Sequence, residues 1–117
     1  MMTIVLYGIA NCDTVRKARA WLRARDIDHH FHDLRADGLD PARLDVWLAA
    51  LGWEQLINRR SATWRQLPPE QRTALDTARA RALVLAHPTL IRRPLLEHGE
   101  IVRVGFSAAD YETWFQQ

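Results

Sequence analysis

The sequence lacks the pairs of cysteines that form stabilising disulfide bonds in many small domains. It contains a single cysteine, Cys12, among 117 residues. One cysteine cannot close a disulfide within the chain, so any role of the thiol requires an external partner.

No apolar run approaches the ~18 residues of a membrane-spanning helix, and no basic residue precedes the apolar stretch 3–10. We therefore expect no membrane association and no secretory signal, and we predict a cytoplasmic protein.

An excess of charge of one sign is also lacking. The chain has 16 basic and 14 acidic residues and a formal net charge of +2, and Lys17 is its single lysine. Basic and acidic residues are interleaved, so the sequence does not favour direct binding to nucleic acid. A hydrophobic content of 48% and a charged content of 26% are typical of one globular domain with its own core.

Three closely spaced histidines invite a metal site, but the pattern does not complete one. His30 and His32 would share one face of a strand, whereas His29 would point to the other. One cysteine is too few to complete a structural zinc set. We predict no metal.

The first third of the chain has the pattern of a βαβ unit. Apolar and β-branched residues predict strands at 3–7 and 28–34. Between them, apolar residues at helical spacing predict a helix that is capped by Asp13 or Thr14 and runs to about Asp26. A strand, helix and strand in this order predict a parallel pair.

Helices are predicted in the middle of the chain. One begins with Pro41 at its first position and ends at Gly52. A short helical piece is predicted near 55–58, and one continuous helix from Pro68 to about His87.

The last third of the chain predicts a hairpin and a helix. Strands at 95–97 and 101–104 flank a turn at His98-Gly99, and Ser107 caps a final helix that runs to Phe115. The order βαβ, helices, ββα predicts an α/β thioredoxin-like fold with an inserted helical subdomain at approximately 39–87. We predict a single domain spanning residues 1–117.

Cys12 occupies the loop between the first strand and the first helix. Such a loop delivers the free N–H groups of the helix to one point, where partial positive charge favours thiolate over thiol. Asn11 and Asp13 make the loop polar, which favours a reactive cysteine over a buried, inert one. The thiolate is the nucleophile of thiol exchange.

Three basic residues, Arg16, Lys17 and Arg19, crowd the first turns of this helix. Cations there oppose the helix dipole by ~0.3–1 kcal/mol each. One explanation is a nearby thiolate or anionic ligand. The other is that these side chains extend into water and that Asp13 compensates them.

The segment Leu6–Ala18, Leu-Tyr-Gly-Ile-Ala-Asn-Cys-Asp-Thr-Val-Arg-Lys-Ala, resembles the active-site segment of the arsenate reductase/Spx (ArsC-like) family, in its YffB-like branch. Further segments match that branch in order, from residue 4 to about 115. They are 31–33, 37–39, 51–53, 58–65, 93–96 and 104–107.

The resemblance implies a catalytic role for Cys12 and an oxyanion cradle of arginines around it. The first arginine maps to Arg60, although Arg59 is close enough to remain an alternative. The second maps to Arg93. The third position is Gly105, so the resemblance implies an incomplete cradle for arsenate.

Thioredoxin-like folds also place a cis-proline opposite the active thiol, and Pro94 is the candidate. A cis X–Pro bond would present the backbone of Arg93 to a peptide-like ligand. The predicted site is therefore Cys12 as the catalytic residue, with five anion- or glutathione-binding residues around it: Asn11, Arg16, Arg60, Arg93 and Pro94.

The predicted function is a glutathione-dependent thiol oxidoreductase that forms a mixed disulfide on Cys12. Ile9 and Val15 occupy the positions of a second cysteine in either Cys-x-x-Cys frame, so a dithiol mechanism within the chain is excluded. We expect no permanently bound cofactor, and glutathione or glutaredoxin as the thiol partner. Two alternatives stay open: an Spx-like transcriptional regulator that binds RNA polymerase, and a true arsenate reductase.

Overall fold

The computed structural model describes residues 3–116, which form a four-stranded mixed sheet and seven α-helices. The strands are β1 (Ile4–Gly8), β2 (His30–Asp33), β3 (Leu95–His98) and β4 (Ile101–Val104). Their order in the sheet is β2-β1-β3-β4. β1 pairs parallel with β2 and antiparallel with β3, and β3 pairs antiparallel with β4. The predicted parallel βαβ pair and the C-terminal hairpin are confirmed.

Helices α1 (Asp13–Ala24) and α7 (Ala108–Trp114) bury their apolar faces with the sheet. The buried residues of α1 recur at helical spacing, as an amphipathic surface helix requires. Ser107 caps α7 by accepting a hydrogen bond from the Asp110 N–H at 3.0 Å. The resulting core cluster consists of Leu6, Ala18, Trp21, Leu22, Leu96 and Tyr111.

The chain divides into two compact units. The sheet unit comprises the described residues up to Asp33 and from Arg93 onwards, and the helical unit is Leu34–Arg92. The helical unit is wider than the predicted insertion of 39–87. That the two units form a single domain stays a prediction.

The helical unit contains five α-helices, which are short apart from α2 and α6. They are α2 (Pro41–Leu51), α3 (Trp53–Leu56), α4 (Ala62–Gln66), α5 (Pro69–Arg72) and α6 (Thr77–Ala86).

A core of aliphatic residues and Trp47 holds the helical unit together. Leu44, Trp47 and Leu48 are the buried face of α2, and Ala80 and Val84 that of α6. Pro41 occupies the first turn of α2, as predicted, and Asp40 caps it. A 3-10 turn (Pro88–Leu90) then returns the chain towards the end of α3, where the Asn58 N–H donates to the Leu90 carbonyl at 2.8 Å.

The continuous helix predicted from Pro68 to about His87 is wrong. α5 ends at Arg72, and Ala74 has a positive φ of 53°, which no α-helix accommodates. Asp76 then starts α6 anew, because its carboxylate accepts a hydrogen bond from the Arg79 N–H at 2.8 Å. The apolar periodicity continues through position 76, but the capping hydrogen bond of Asp76 starts a new helix there.

Two predicted boundaries also differ. The cap of α1 is Cys12 rather than Asp13 or Thr14. β2 is confined to four residues, so the predicted strand 28–34 is too long at both ends.

No helix within residues 3–116 is long and apolar enough to cross a membrane.

Candidate functional site

Cys12 is the N-cap residue of α1. Its backbone is extended, with φ −95° and ψ 125°, and its side chain makes no capping hydrogen bond. Its carbonyl accepts the first intrahelical hydrogen bond, from the Arg16 N–H at 2.9 Å. The residue is partly exposed. A thiol here lies where the free N–H groups of the helix concentrate partial positive charge.

The loop that carries Cys12 is short because α1 begins directly against the end of β1. A Cβ atom on Gly8 would lie 2.6 Å from Val15 Cγ2, so only glycine permits this approach. Ile9 to Cys12 then form a turn that is closed by a hydrogen bond from the Cys12 N–H to the Ile9 carbonyl at 3.2 Å. Asn11 is exposed within this turn.

Two of the basic residues of α1 have local partners. Arg16 and Asp13 form an ion pair on the exposed surface of the first turn. The guanidinium carbon of Arg19 lies 4.2 Å from the centroid of the Phe31 ring, in a cation–π contact. For Arg16, the arrangement is therefore the second explanation given by the sequence: Asp13 compensates its charge.

The peptide bond between Arg93 and Pro94 is cis, as predicted. Pro94 is buried and Arg93 is partly buried. In the antiparallel register of β1 and β3, Tyr7 is opposite Leu95. Pro94 therefore lies at the end of the sheet at which β1 ends and the Cys12 loop begins.

Gly105 occupies the third arginine position of the resemblance, and its backbone is left-handed, with a φ of 87°. Its N–H donates to the Pro94 carbonyl at 2.9 Å. Among residues 3–116, and leaving out its two chain neighbours, no atom lies within 4 Å of the position that a Cβ would take. Beside the cis peptide bond, the candidate site therefore has open space in place of a third arginine.

Arg60 belongs to the helical unit, in the turn before α4. Its N–H donates to Asn58 Oδ1 at 3.0 Å, and its side chain is exposed. The neighbouring Arg59 instead places its guanidinium carbon 5.6 Å from the centroid of the Trp53 ring. Of the two alternatives, Arg59 has an aromatic partner inside its own unit. The other five predicted site residues lie in the sheet unit.

Sequence reasoning missed two polar features of the sheet unit. Asp33, at the end of β2, accepts a hydrogen bond from the Ala10 N–H in the Cys12 loop at 3.1 Å. On β1, the Tyr7 hydroxyl donates to the buried Glu97 carboxylate at 3.0 Å. The strand register, rather than any motif, brings these residues together. A signal for Asp33 was its position near the end of the second predicted strand, 28–34, which pairs parallel with β1.

Among residues 3–116, no group of three His, Cys, Asp or Glu side chains is placed to hold a metal ion. The partly buried His32 contacts the Tyr7 ring, with 4.9 Å between ring centroids.

A thioredoxin-like sheet with a cysteine at the first helix N-terminus and a cis-proline before β3 is the arrangement that the sequence predicted. The model of the ArsC family matches residues 7–114, and the chain belongs to this family. The thioredoxin-like fold class is thereby confirmed.

Particular relatives cover nearly the whole chain. An uncharacterized protein of Haemophilus influenzae is 41% identical over 96% of this chain and 98% of its own. The solved YFFB (PA3664) protein is 44% identical, with a TM-score of 0.90 over 95% of this chain and 97% of its own. A protein of Brucella melitensis described as related to arsenate reductase (ArsC) is 46% identical, with a TM-score of 0.80 over 99% and 97%.

Regulators are also among the relatives. The global transcriptional regulator Spx of Lactiplantibacillus plantarum is 29% identical over 89% of this chain and 80% of its own. The relatives of this chain therefore include a protein described as reductase-related and proteins described as regulators.

Proposed function

We propose that the protein is a glutathione-dependent thiol oxidoreductase in which Cys12 is the nucleophile. The observation that carries the proposal is the placement of a partly exposed cysteine as the N-cap of α1. A cis peptide before β3 at the same edge of the sheet supports it. Thiols at helix N-termini are the class of cysteine that performs disulfide exchange.

The proposed reaction consists of two thiol–disulfide exchanges. The Cys12 thiolate attacks the glutathione sulfur of a substrate–glutathione mixed disulfide. The S–S bond of the substrate breaks, its thiolate leaves and takes up a proton, and a disulfide forms between Cys12 and glutathione. A second glutathione, as thiolate, attacks that disulfide, which releases glutathione disulfide and restores the Cys12 thiolate. The balance is one substrate disulfide and one glutathione thiol consumed, and one substrate thiol and one glutathione disulfide formed.

The remaining predicted site residues have binding roles in this proposal. Arg93 binds a carboxylate of glutathione, because a guanidinium offers paired donors to a carboxylate, and Arg60 stays a second candidate from the helical unit. Asn11 donates from the turn beside the thiol, and the backbone at Pro94 lies along the peptide part of the ligand. Arg16 contributes only where the ligand competes with Asp13 for its guanidinium.

The decisive measurement is the intact mass of the protein after exposure to glutathione disulfide. We expect a glutathione-sized adduct on the wild type and none on Cys12→Ser, followed by loss of the adduct when reduced glutathione is added. Glutathione-dependent reduction of a glutathionylated peptide should follow the same pattern. The proposal fails if Cys12→Ser retains reductase activity, or if the wild type forms no adduct.

A regulator that binds RNA polymerase is the second candidate, because curated relatives are named Spx. Ile9 and Val15 at the two possible partner positions remove a switch based on a cysteine pair. Binding of the purified chain to purified RNA polymerase, together with the absence of reductase activity, would favour this function.

Arsenate reduction is a third candidate, favoured by the relative described as related to arsenate reductase. Gly105 offers no cation at the third position of the cradle, so we expect the peptide disulfide to be the better substrate. Turnover of arsenate with glutathione and glutaredoxin, at a higher kcat/KM than the glutathionylated peptide, would reverse this ranking.

A further inference from the structure

Asp33 ends β2 at the point where the neighbouring strand β1 also ends. In the parallel register of these two strands, Asp33 is opposite Gly8. From that position Asp33 Oδ2 accepts a hydrogen bond from the Ala10 N–H at 3.1 Å. A carboxylate that accepts from a backbone N–H makes a charge-assisted bond, which is stronger than one between neutral groups. One side chain of β2 thus holds the loop that leaves β1.

Ala10 is the second residue of the turn that presents Cys12. The turn is closed by the bond from the Cys12 N–H to the Ile9 carbonyl, and the Cys12 carbonyl accepts from the Arg16 N–H in α1. Three successive hydrogen bonds therefore connect the end of the sheet, the turn and the first turn of α1. The close approach of Gly8 to Val15 fixes the other side of the loop.

We propose that Asp33 is a positioning residue that holds the Cys12 thiol at the N-terminus of α1. It acts through the Ala10 N–H and does not touch the substrate. Without this acceptor, the Ala10 N–H bonds to water and the turn samples conformations in which the sulfur lies away from the helical N–H groups. Because the role concerns the reactivity of Cys12, the inference rests on the proposed function.

Alkylation of Cys12 by iodoacetamide, measured as a function of pH, tests this role without glutathione or substrate. Asp33→Asn keeps an acceptor oxygen and removes the charge, whereas Asp33→Ala removes both. We expect Asp33→Ala to lower the rate constant at neutral pH by about tenfold and to move the pH profile to higher pH. Asp33→Asn should stay within about threefold of the wild type. Asp28→Ala, at an exposed aspartate just before β2, is the matched control and should change nothing.

The exchange rate of the Ala10 amide gives a second, independent readout. It should rise in Asp33→Ala and remain slow in Asp33→Asn. In an Ala10→Pro background the donor is absent and proline presets the second position of the turn. There, Asp33→Ala should have no effect on alkylation.

Each other result overturns the inference. If Asp33→Asn is as slow as Asp33→Ala, the charge acts and not the hydrogen bond. If Cys12 is alkylated in Asp33→Ala at the rate of the wild type, the turn holds Cys12 without the hydrogen bond from Ala10 to Asp33. Should Asp33→Ala fail to fold, by circular dichroism, the comparison of Asp33→Asn with the wild type still decides, since a slowed Asp33→Asn contradicts the inference. Failure of the proposed function is recognised separately, by a Cys12→Ser variant that retains reductase activity.

Discussion

The sheet unit and the helical unit bury different kinds of residue. In the helical unit the buried side chains are aliphatic apart from Trp47, whereas the sheet unit also buries Tyr7, Glu97 and Tyr111. The sheet unit carries five of the six predicted site residues, and the helical unit carries Arg60. The buried polar groups and the Cys12 thiol therefore belong to the unit whose geometry is fixed by strand pairing, while the helical unit has an apolar core and one candidate arginine.

The largest effect expected from this comparison is on stability. Leu6 and Trp47 are each fully buried, one in each unit. Leu6→Ala should lower the free energy of unfolding by about 2–5 kcal/mol and Trp47→Ala by about 3–5 kcal/mol, because each leaves a cavity. If the chain is a single domain, as predicted, both substitutions lower one cooperative transition in urea, followed by circular dichroism.

Amide exchange resolves the two units and shows whether they unfold together. In a single cooperative domain, either substitution lowers protection in both units. Loss of protection confined to the substituted unit would contradict the single-domain prediction. Val46→Ala, at an exposed position of α2, is the control and should change the free energy by less than about 0.5 kcal/mol.

The second prediction concerns the buried hydroxyls of the sheet unit. Tyr111 is fully buried, and its hydroxyl has no hydrogen-bond partner among residues 3–116. Tyr111→Phe removes that penalty and should raise the free energy of unfolding by about 1–3 kcal/mol. Tyr7→Phe is the matched control with the opposite sign, because it removes the donor to the buried Glu97.

The same tyrosine predicts a dependence of stability on pH. Burial raises the pKa of the Tyr111 phenol above its usual value, because the phenolate is desolvated. Its contribution to stability is fully present below the unfolded pKa of about 10 and is lost as the pH rises from there towards the folded pKa, since the unfolded chain releases the proton first. Above about pH 10, the stability of the wild type should fall more steeply than that of Tyr111→Phe. The free energies of unfolding come from urea titrations at each pH. If they fall with pH at the same rate in the two proteins, the assignment is contradicted.

The smallest expected effect tests whether the helical unit contributes to the chemistry. Arg60→Ala should raise the KM for glutathione by about tenfold if its guanidinium binds a ligand carboxylate. Arg59→Ala, next to it, should stay within about twofold, because Arg59 is engaged with Trp53. If Arg60→Ala leaves the KM as unchanged as Arg59→Ala does, Arg60 carries no part of the glutathione site.

The sequence was informative wherever local chemistry and strand order agree. The pattern of apolar and β-branched residues predicted a βαβ unit with Cys12 in its first loop, and the expected thioredoxin-like fold singled out Pro94 as a cis-proline. These features follow from local patterns or from a motif, and both the βαβ unit and the cis peptide are present in the structure.

The sequence was uninformative wherever two locally plausible outcomes compete. The apolar periodicity through residues 68–87 favoured one helix, but the Asp76 cap divides it. Arg16 had two explanations, and its ion pair with Asp13 depends on side-chain geometry that spacing alone does not fix. The bond from Ala10 to Asp33 joins residues 23 positions apart, so it follows only from the parallel register.

Gly105 limits how this scaffold can be redesigned. Apart from its two chain neighbours, no described residue lies within 4 Å of the position of a Cβ at Gly105, so a Cβ there meets no steric obstacle. The obstacle is chirality, because a φ of 87° disfavours every residue with a Cβ by about 1–2 kcal/mol. An arginine at position 105 therefore has to bear a conformational cost of this size, in the way that Ala74 bears one at its φ of 53°.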